Sequence, residues 1–496
     1  MNRTRRRYGP SLNWQLIIPV SAGVLVASGL GLAACFAVAV IGDDGGEAAF
    51  GITAAAALPV GGLGLLSARR LRSMPLIIRD GFAAVTAAWL TAAIVGAVPF
   101  LIAGTFDRPV EAFFESMSGF TTTGATLIDD VDAEPDAVLL WRSLLQWLGG
   151  VGIVVLVVAI APATGLASQR VFYAETSGIT ADRLTPRIAD TAKIIWGIYL
   201  TLTALALMSY WVAGMSAWDA VNHSLTTLAT GGFSTHTASL AAFDSLAIEL
   251  VAIVFMAAGG VNFAFYWRAV RGGSLWPEAA EIRLYFLILV ASIAAVTASL
   301  VLADDVSGVW NSLRASAFTV TSLITTTGFT TDDYDLWGDY ARWHLLVLMF
   351  IGGCAGSTAG GMKVTRIMLL GKAAAQEIAR QLRPKAVQVL RTRGRVYGED
   401  VRLGVLGFFY IYMTVAIAGT FAMTAAGLDF DSALSSVAAT LNVVGPGLGA
   451  VGGIENYAAV PEGGLLVLSA LMLIGRLEVF TVLVLLTRVF WRPRGA

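Results

Sequence analysis

Long apolar stretches alternate with short polar ones along almost the whole chain. About 20 apolar residues are enough to cross a bilayer as a helix. Stretches of that order lie near 14–41, 49–68, 76–104, 143–166, 191–214, 244–268, 284–303, 343–370, 403–426 and 464–488. The pattern predicts ten spanning helices, and an even number puts both termini on one side. The basic residues separate just as cleanly. The leader before residue 14 and the segments 69–79, 168–193, 268–283, 363–402 and 488–494 hold 28 of the 33 Lys and Arg. The alternate segments are acidic, with Asp43, Asp44, Asp129, Asp130, Asp132, Asp304, Asp305, Asp332 and Asp333 among them. Basic loops stay in the cytoplasm, so both termini are expected there.

Four acidic-side segments, after the third, fifth, seventh and ninth stretches, share a second pattern. In each, an apolar segment too short to span is followed by a Gly-bearing strand. Ala112 to Met117 lead to Thr121-Thr122-Thr123-Gly124-Ala125-Thr126. Trp218 to Leu228 lead to Ala229-Thr230-Gly231-Gly232-Phe233-Ser234. From Trp310 the chain leads to Thr325-Thr326-Thr327-Gly328-Phe329-Thr330. Asp431 to Leu441 lead to Asn442-Val443-Val444-Gly445-Pro446-Gly447. The capping-box spacing of Ser216 and Asp219 predicts a helix start before the second strand. β-branched residues stiffen the chain away from helix, and Gly opens φ values that other residues resist. Extended backbone is therefore expected at all four places. Aligned on Gly124, Gly231, Gly328 and Gly445, the copies are 107, 97 and 117 residues apart. One Thr-Thr-Thr-Gly is compatible with an ordinary turn. Three close versions and one divergent version, all on one side and in matching hairpins, favour a pore, because non-helical backbone at membrane depth survives only where it is buried or lines a cavity. A ring of such carbonyls can replace the water around an alkali cation.

Composition narrows the class. Only 14% of residues are charged and 56% are hydrophobic, against about 25% charged in a soluble domain. Cys35 and Cys354 lie inside apolar stretches, which argues against a disulfide framework or a zinc site. His223, His236 and His344 lack metal-ligand spacing, and His223 reads as structural. There is no nucleophile–base pair and no paired intramembrane carboxylate, so enzyme activity is not expected. Leu32-Ala33-Ala34-Cys35 looks like a lipoprotein cleavage site, but the apolar run continues past it to Ile41. An uncleaved spanning helix fits better. Eight basic residues between 372 and 402 (Lys372, Arg380, Arg383, Lys385, Arg391, Arg393, Arg395 and Arg402) suit anionic membrane lipid. No nucleic-acid partner is expected.

Two further motifs carry candidate chemistry. Gly352, Gly353, Gly356, Gly360 and Gly361 make five glycines in ten residues, with Ser357 and Thr358 among them. Each Gly costs about 1 kcal/mol in a helix, so an intramembrane loop is expected. A phosphate-binding loop is ruled out by Met362 standing before Lys363. Arg476 lies near the middle of the last stretch. A charge there costs at least about 2.5 kcal/mol, so it should face a cavity or a partner. Arg142 and Arg342, each ahead of an inward-running stretch, read as interfacial anchors. Glu478 and Glu249 are the acids that could carry a coupled proton.

With these residues the chain resembles the superfamily of K⁺ transporters of the Trk, Ktr and HKT type. The resemblance rests on the four strands, on Gly352-Gly353-Cys354-Ala355-Gly356-Ser357-Thr358-Ala359-Gly360-Gly361-Met362-Lys363, and on Ile474-Gly475-Arg476-Leu477-Glu478. The two extra N-terminal stretches resemble the TrkH branch rather than the shorter KtrB branch. The resemblance implies an all-α polytopic membrane protein. Four fused helix–pore-helix–filter–helix hairpins would surround a central pore, with two further N-terminal helices. The implied units are 1–72, then pore repeats 73–170, 171–272, 273–385 and 386–496. It implies K⁺ uptake across the cytoplasmic (inner) membrane through a gated, channel-like pore, with Na⁺- or H⁺-coupled symport as the alternative. The filter would comprise Thr122, Thr123, Gly124, Thr230, Gly231, Thr326, Thr327, Gly328, Val443, Val444 and Gly445. K⁺ would sit at Thr123, Gly124, Thr230, Gly231, Thr327, Gly328, Val444 and Gly445. The gate would comprise Gly352, Gly353, Gly356, Ser357, Thr358, Gly360, Gly361 and Arg476. Ala359 departs from the Gly-rich form of that loop, and Val443 and Val444 depart from the threonine pattern. A homodimer, a cytoplasmic TrkA-like nucleotide-binding ring as partner, and no cofactor besides the transported K⁺ complete the expectation.

Overall fold

In the computed structural model the described residues are 12, 14–68, 78–160, 188–272, 279–382, 390–392 and 395–491. The basic leader, residues 69–77, 168–187 and 273–278, and Arg383, Lys385, Arg393, Arg492 and Arg494 lie outside them. Among the described residues the regular structure is helical except for one small hairpin, Leu390–Thr392 paired antiparallel with Arg395–Tyr397, and irregular backbone joins the helices.

Among the described residues, six helices are long and apolar enough to cross a membrane: Leu16–Gly42, Glu47–Ser67, Arg79–Ala103, Ala192–Val212, Ala279–Ala303 and Glu399–Ala425. A further helix, Asp136–Ile160, has 25 residues and so a length of about 37 Å. The first two helices pack through small residues. A Cβ on Gly64 would lie 2.7 Å from Ala22 Cβ, the close approach that small residues allow between membrane helices.

The stretches 244–268 and 464–488, expected as single spans, are instead broken. Leu246–Gly259 and Phe263–Val270 meet at 94°, and Glu462–Arg476 and Phe480–Leu486 at 111°. At the first break Asn262 starts a new helix, its side-chain oxygen accepting from Ala264 N at 2.8 Å. At the second, Glu478 and Val479 take φ values of 58 and 36°, a region that non-glycine residues rarely enter. The expected break in 343–370 is present: Asp339–Met349 and Val364–Leu382 are separate helices.

Four shorter helices sit between these elements: Pro109–Phe120, Ala217–Leu228, Val309–Ile324 and Phe430–Leu441. Three have 12 residues, about 18 Å, too short to span. Their starts follow capping chemistry. Ser216 Oγ accepts from Asp219 N at 3.0 Å, and Asp429 accepts from Ser432 N at 3.3 Å. Each ends in an αR residue, Thr121, Ala229, Thr325 or Asn442, that opens a strand. Their partially negative C-terminal ends thus converge on one place.

Candidate functional site: a four-strand ring above a glycine-rich loop

The same turn follows all four short helices. Thr123, Gly231, Thr327 and Val444 donate their N–H back to Ser118, Thr226, Ser322 and Ala439 at 2.8, 2.9, 2.8 and 2.7 Å. The residues before them, Thr122, Thr230, Thr326 and Val443, have φ of 59, 53, 56 and 52°. The residues after them, Gly124, Gly232, Gly328 and Gly445, have φ of 87, 81, 82 and 99°. This pattern corrects the register of the second strand. Gly232, not Gly231, is the counterpart of Gly124, and Gly231 stands where the others have Thr123, Thr327 and Val444. Two adjacent glycines leave that choice open in the sequence.

The four strands close a ring. A Cβ on Gly124 would lie 2.1 Å from the Gly231 carbonyl oxygen, one on Gly232 2.0 Å from that of Thr327, one on Gly328 2.0 Å from that of Val444, and one on Gly445 2.6 Å from that of Thr123. Each glycine therefore abuts the next strand, and the fourth returns to the first. Side chains are excluded twice, by contact and by φ. Within the ring, strands one and three are alike. Thr121 and Thr123 share a hydroxyl hydrogen bond of 2.7 Å, and Thr325 and Thr327 one of 2.8 Å. Strands two and four have no hydroxyl at those positions.

A cavity of about 80 Å³ opens above the four glycines, with Thr126, Ser234 and Glu455 on its wall. Tyr457 donates to the Gly445 carbonyl at 2.7 Å, and Tyr334 to that of Gly447 at 3.0 Å.

Residues 350–363 lie beneath the ring as an irregular loop. Gly360 N donates to Thr326 Oγ1 at 2.6 Å, and Gly361 N to the Asn442 carbonyl at 3.0 Å. Thr358 Oγ1 donates to Leu228 O at 3.0 Å and Gly259 O at 3.2 Å. The loop thus ties to three of the four strand bases. Its glycines are set by close backbone contacts: a Cβ on Gly352 would lie 1.9 Å from Gly360 O, and one on Gly353 2.7 Å from Gly260 O. Gly356 O accepts from Phe263 N at 3.2 Å, and Ser357 Oγ donates to Cys354 O at 2.6 Å. Lys363 donates to the Ala359 carbonyl. Arg476, 3% exposed, donates to Thr358 O at 2.8 Å and Gly149 O at 3.1 Å. It joins the loop to the helix Asp136–Ile160.

The TrkH family model, described as a cation transport protein, matches residues 48–492. The chain belongs to the TrkH family. It is 40% identical to the Trk system potassium uptake protein TrkH of Salmonella typhimurium over 482 residues, 96% of this chain and 98% of that one. It is 42% identical to the TrkH of Vibrio parahaemolyticus over 420 residues, 84% of this chain and 86% of that one. The crystal structure of the potassium transporter TrkH from Vibrio parahaemolyticus superposes with a TM-score of 0.86 at 38% identity, covering 97% of this chain and all of that one. The TrkH family is one of transporters, not enzymes.

Against this TrkH-family frame, several residues take roles the sequence did not suggest. Arg142 is not an interfacial anchor. It is 2% exposed, donates to Glu115 Oε1 at 3.0 Å and to Ser234 O at 3.1 Å, and lies 4.1 Å over the Phe233 ring. Glu115 also accepts from Leu127 N at 3.0 Å. The buried pair therefore joins strand one to strand two. Arg342 lies among Asp335, Asp339 and Asp431 at 3.8, 3.8 and 3.5 Å. Both coupling candidates are paired: Glu249 with Arg314 at 2.8 and 2.7 Å, and Glu478 with Arg366 at 2.5 Å. His223 is buried, with Asp219 O at 2.9 Å and Ser234 Oγ at 3.0 Å on its two nitrogens. Gly149, Gln146, Asn262 and Glu281 were missed; Glu281 accepts from Ala355 N at 2.7 Å. One signal for Gly149 was legible. Gly149-Gly150, Gly259-Gly260, Gly352-Gly353 and Gly475-Arg476 recur after the four short helices. Arg476 takes the second glycine's place in the last copy.

Proposed function

We propose that this chain takes up potassium across the cytoplasmic membrane through a gated, channel-like pore, with both termini in the cytoplasm. The observation that carries the reading is the closed ring, in which each glycine abuts the next strand's carbonyl. Such a ring offers a dehydrated cation backbone oxygens from four directions. The relatives' names specify potassium, and the helix C-termini favour a cation at the ring. The ion positions are at Thr123, Gly124, Thr327, Gly328, Val444 and Gly445, with Gly231 and Gly232 as the second strand's share and Thr230 one level below. The units 73–170, 171–272, 273–385 and 386–496 are the four pore repeats in this reading.

The loop Gly352–Gly361 is the gate. Opening requires the bonds from Gly360, Gly361 and Thr358 to the strand bases to break, together with the Arg476 tie to Thr358. A homodimer docked on a TrkA-like nucleotide-binding ring, with anionic lipid at the basic cytoplasmic segments, completes the proposed assembly. Coupled symport is the weaker reading, because Glu249 and Glu478 are each held by an arginine.

The test is flux in liposomes with purified protein. K⁺ should pass faster than Na⁺ without a counter-gradient, and faster still with the nucleotide-loaded ring present. Flux that collapses without a Na⁺ or pH gradient supports symport. No flux of either ion under any condition rejects the pore.

A further inference from the structure

Gln146 belongs to the helix of the first repeat, yet its amide is built into the second strand. The residue is fully buried. Its Nε2 donates to the Gly231 carbonyl at 2.6 Å, and its Oε1 accepts from Phe233 N at 3.1 Å. The two bonds bracket Gly232, a glycine of the ring. The Gly231 carbonyl that Nε2 holds is the one that Gly124 abuts.

The same amide explains why residue 231 is a glycine. At this level the other strands carry Thr123, Thr327 and Val444. A Cβ on Gly231 would lie 2.4 Å from Gln146 Cδ, 2.5 Å from Oε1 and 2.9 Å from Nε2, and these are its three nearest atoms. The φ of Gly231 is not in the left-handed region, so backbone conformation does not demand glycine here. The occupant of the space demands it. The second strand has exchanged its own side chain for an amide from a neighbouring repeat.

The exchange has an electrostatic side. An amide N–H on a carbonyl oxygen competes with a cation for that oxygen's lone pairs and fixes the direction in which the C=O points. Among the described residues, no protein donor reaches the carbonyls of Thr123, Thr327 or Val444. One of the four carbonyls at this level is thus set apart from the other three. Ion discrimination by such a ring depends on the number and field of the carbonyls facing the ion.

We propose that Gln146 is a specificity-determining positioning residue of the ring, acting through the Gly231 carbonyl, and that Gln146 and Gly231 form one interchangeable unit. This rests on the pore reading above. The experiment uses the full-length protein with four variants: Gln146→Leu, Gln146→Ala, Gly231→Thr and the double Gln146→Ala/Gly231→Thr. K⁺ and Na⁺ flux are measured in liposomes, and thermal unfolding in detergent. Gly231→Thr alone should lower both the unfolding midpoint and K⁺ flux, the latter by about tenfold or more, because contacts below 3 Å must be relieved. The double variant should recover flux to within about threefold of the parent, since threonine then occupies the vacated space. Gln146→Leu should fold and lower the K⁺:Na⁺ ratio roughly fivefold, the factor that the net worth of one hydrogen bond represents.

Three results overturn the proposal: Gly231→Thr behaving like the parent, the double variant faring no better than Gly231→Thr, or Gln146→Leu leaving the K⁺:Na⁺ ratio unchanged. If the parent protein passes neither ion, the pore reading fails instead. The unfolding midpoints then decide the pairing alone, the double variant's recovery supporting it and a further loss rejecting it.

Discussion

Replacing Arg476 with alanine should raise basal K⁺ flux. The guanidinium is buried and holds two carbonyls, Thr358 O at 2.8 Å in the loop and Gly149 O at 3.1 Å across from it. Hydrogen bonds from a charged donor are worth about 1.5–3 kcal/mol each. The cost of keeping the charge out of water offsets part of that. A net shift of about 1.5–3 kcal/mol towards the open loop corresponds to a rise of about 10- to 150-fold in open population. Truncation also leaves the two carbonyls without their donor, which penalises the closed arrangement further. The assay is unidirectional K⁺ flux into liposomes without any partner subunit. Arg476→Lys separates two contributions. Lysine keeps the positive charge but not the planar fork that reaches two acceptors. If the charge alone blocks the ion path, the lysine variant stays as tight as the parent. If the tie matters, its flux is intermediate. Basal flux that is unchanged or lower in Arg476→Ala, at equal protein abundance, would refute both.

Three further outcomes are expected. Gly328→Ser should raise Na⁺ permeation relative to K⁺, because its Cβ meets the Val444 carbonyl at 2.0 Å and the ring must open to admit it; an unchanged permeability ratio would count against Gly328 lining the filter. Arg142→Met should lower the unfolding midpoint strongly, since stranding one member of a buried ion pair costs about 3–5 kcal/mol, and adding Glu115→Gln should restore much of the loss in the same melt. Asp132 joins the loops after the first two strands through His236 Nδ1 at 2.6 Å and Thr237 N at 2.9 Å. Partial burial raises its carboxyl pKa, but the Thr237 and His236 bonds outweigh that and hold it below the usual value. With the folded pKa depressed, the stabilisation is full above about pH 4, the ordinary carboxylate value, and is lost as pH falls through the depressed one. The gap in unfolding midpoint between parent and Asp132→Asn should therefore close below that pH; a gap independent of pH would reject the ionised strut.

The sequence was most informative where a signal was periodic or repeated. Apolar length located the long helices, and the four Gly-bearing strands located the ring. It was least informative where the deciding neighbour is distant in the chain. Arg142 looked like an anchor because Glu115 is 27 residues away and Ser234 is 92 away. The breaks at Gly260–Asn262 and Leu477–Val479 were hidden because apolar composition continues through them, so hydropathy has no dip to report. The second strand was misregistered because the rule that discriminates Gly231 from Gly232 is a φ angle, not a residue type. The loop at 352–361 was legible for the opposite reason: its glycines are dense enough to contradict a helix on their own.

The ring also bears on how such a chain can change over generations. In a pore of four identical subunits, one codon change alters four positions at once, and all four collisions arise together. Here the quarters are separate stretches of one gene, and each can vary while three stay fixed. The contacts run one way round, from Gly124 to Gly231, Gly232 to Thr327, Gly328 to Val444 and Gly445 to Thr123. A change in one quarter is therefore felt first by its successor, and compensation must be sought there or in a helix that reaches it. Asymmetry of this kind accumulates by pairs of substitutions, and its order around the axis is set by the direction in which the strands lean.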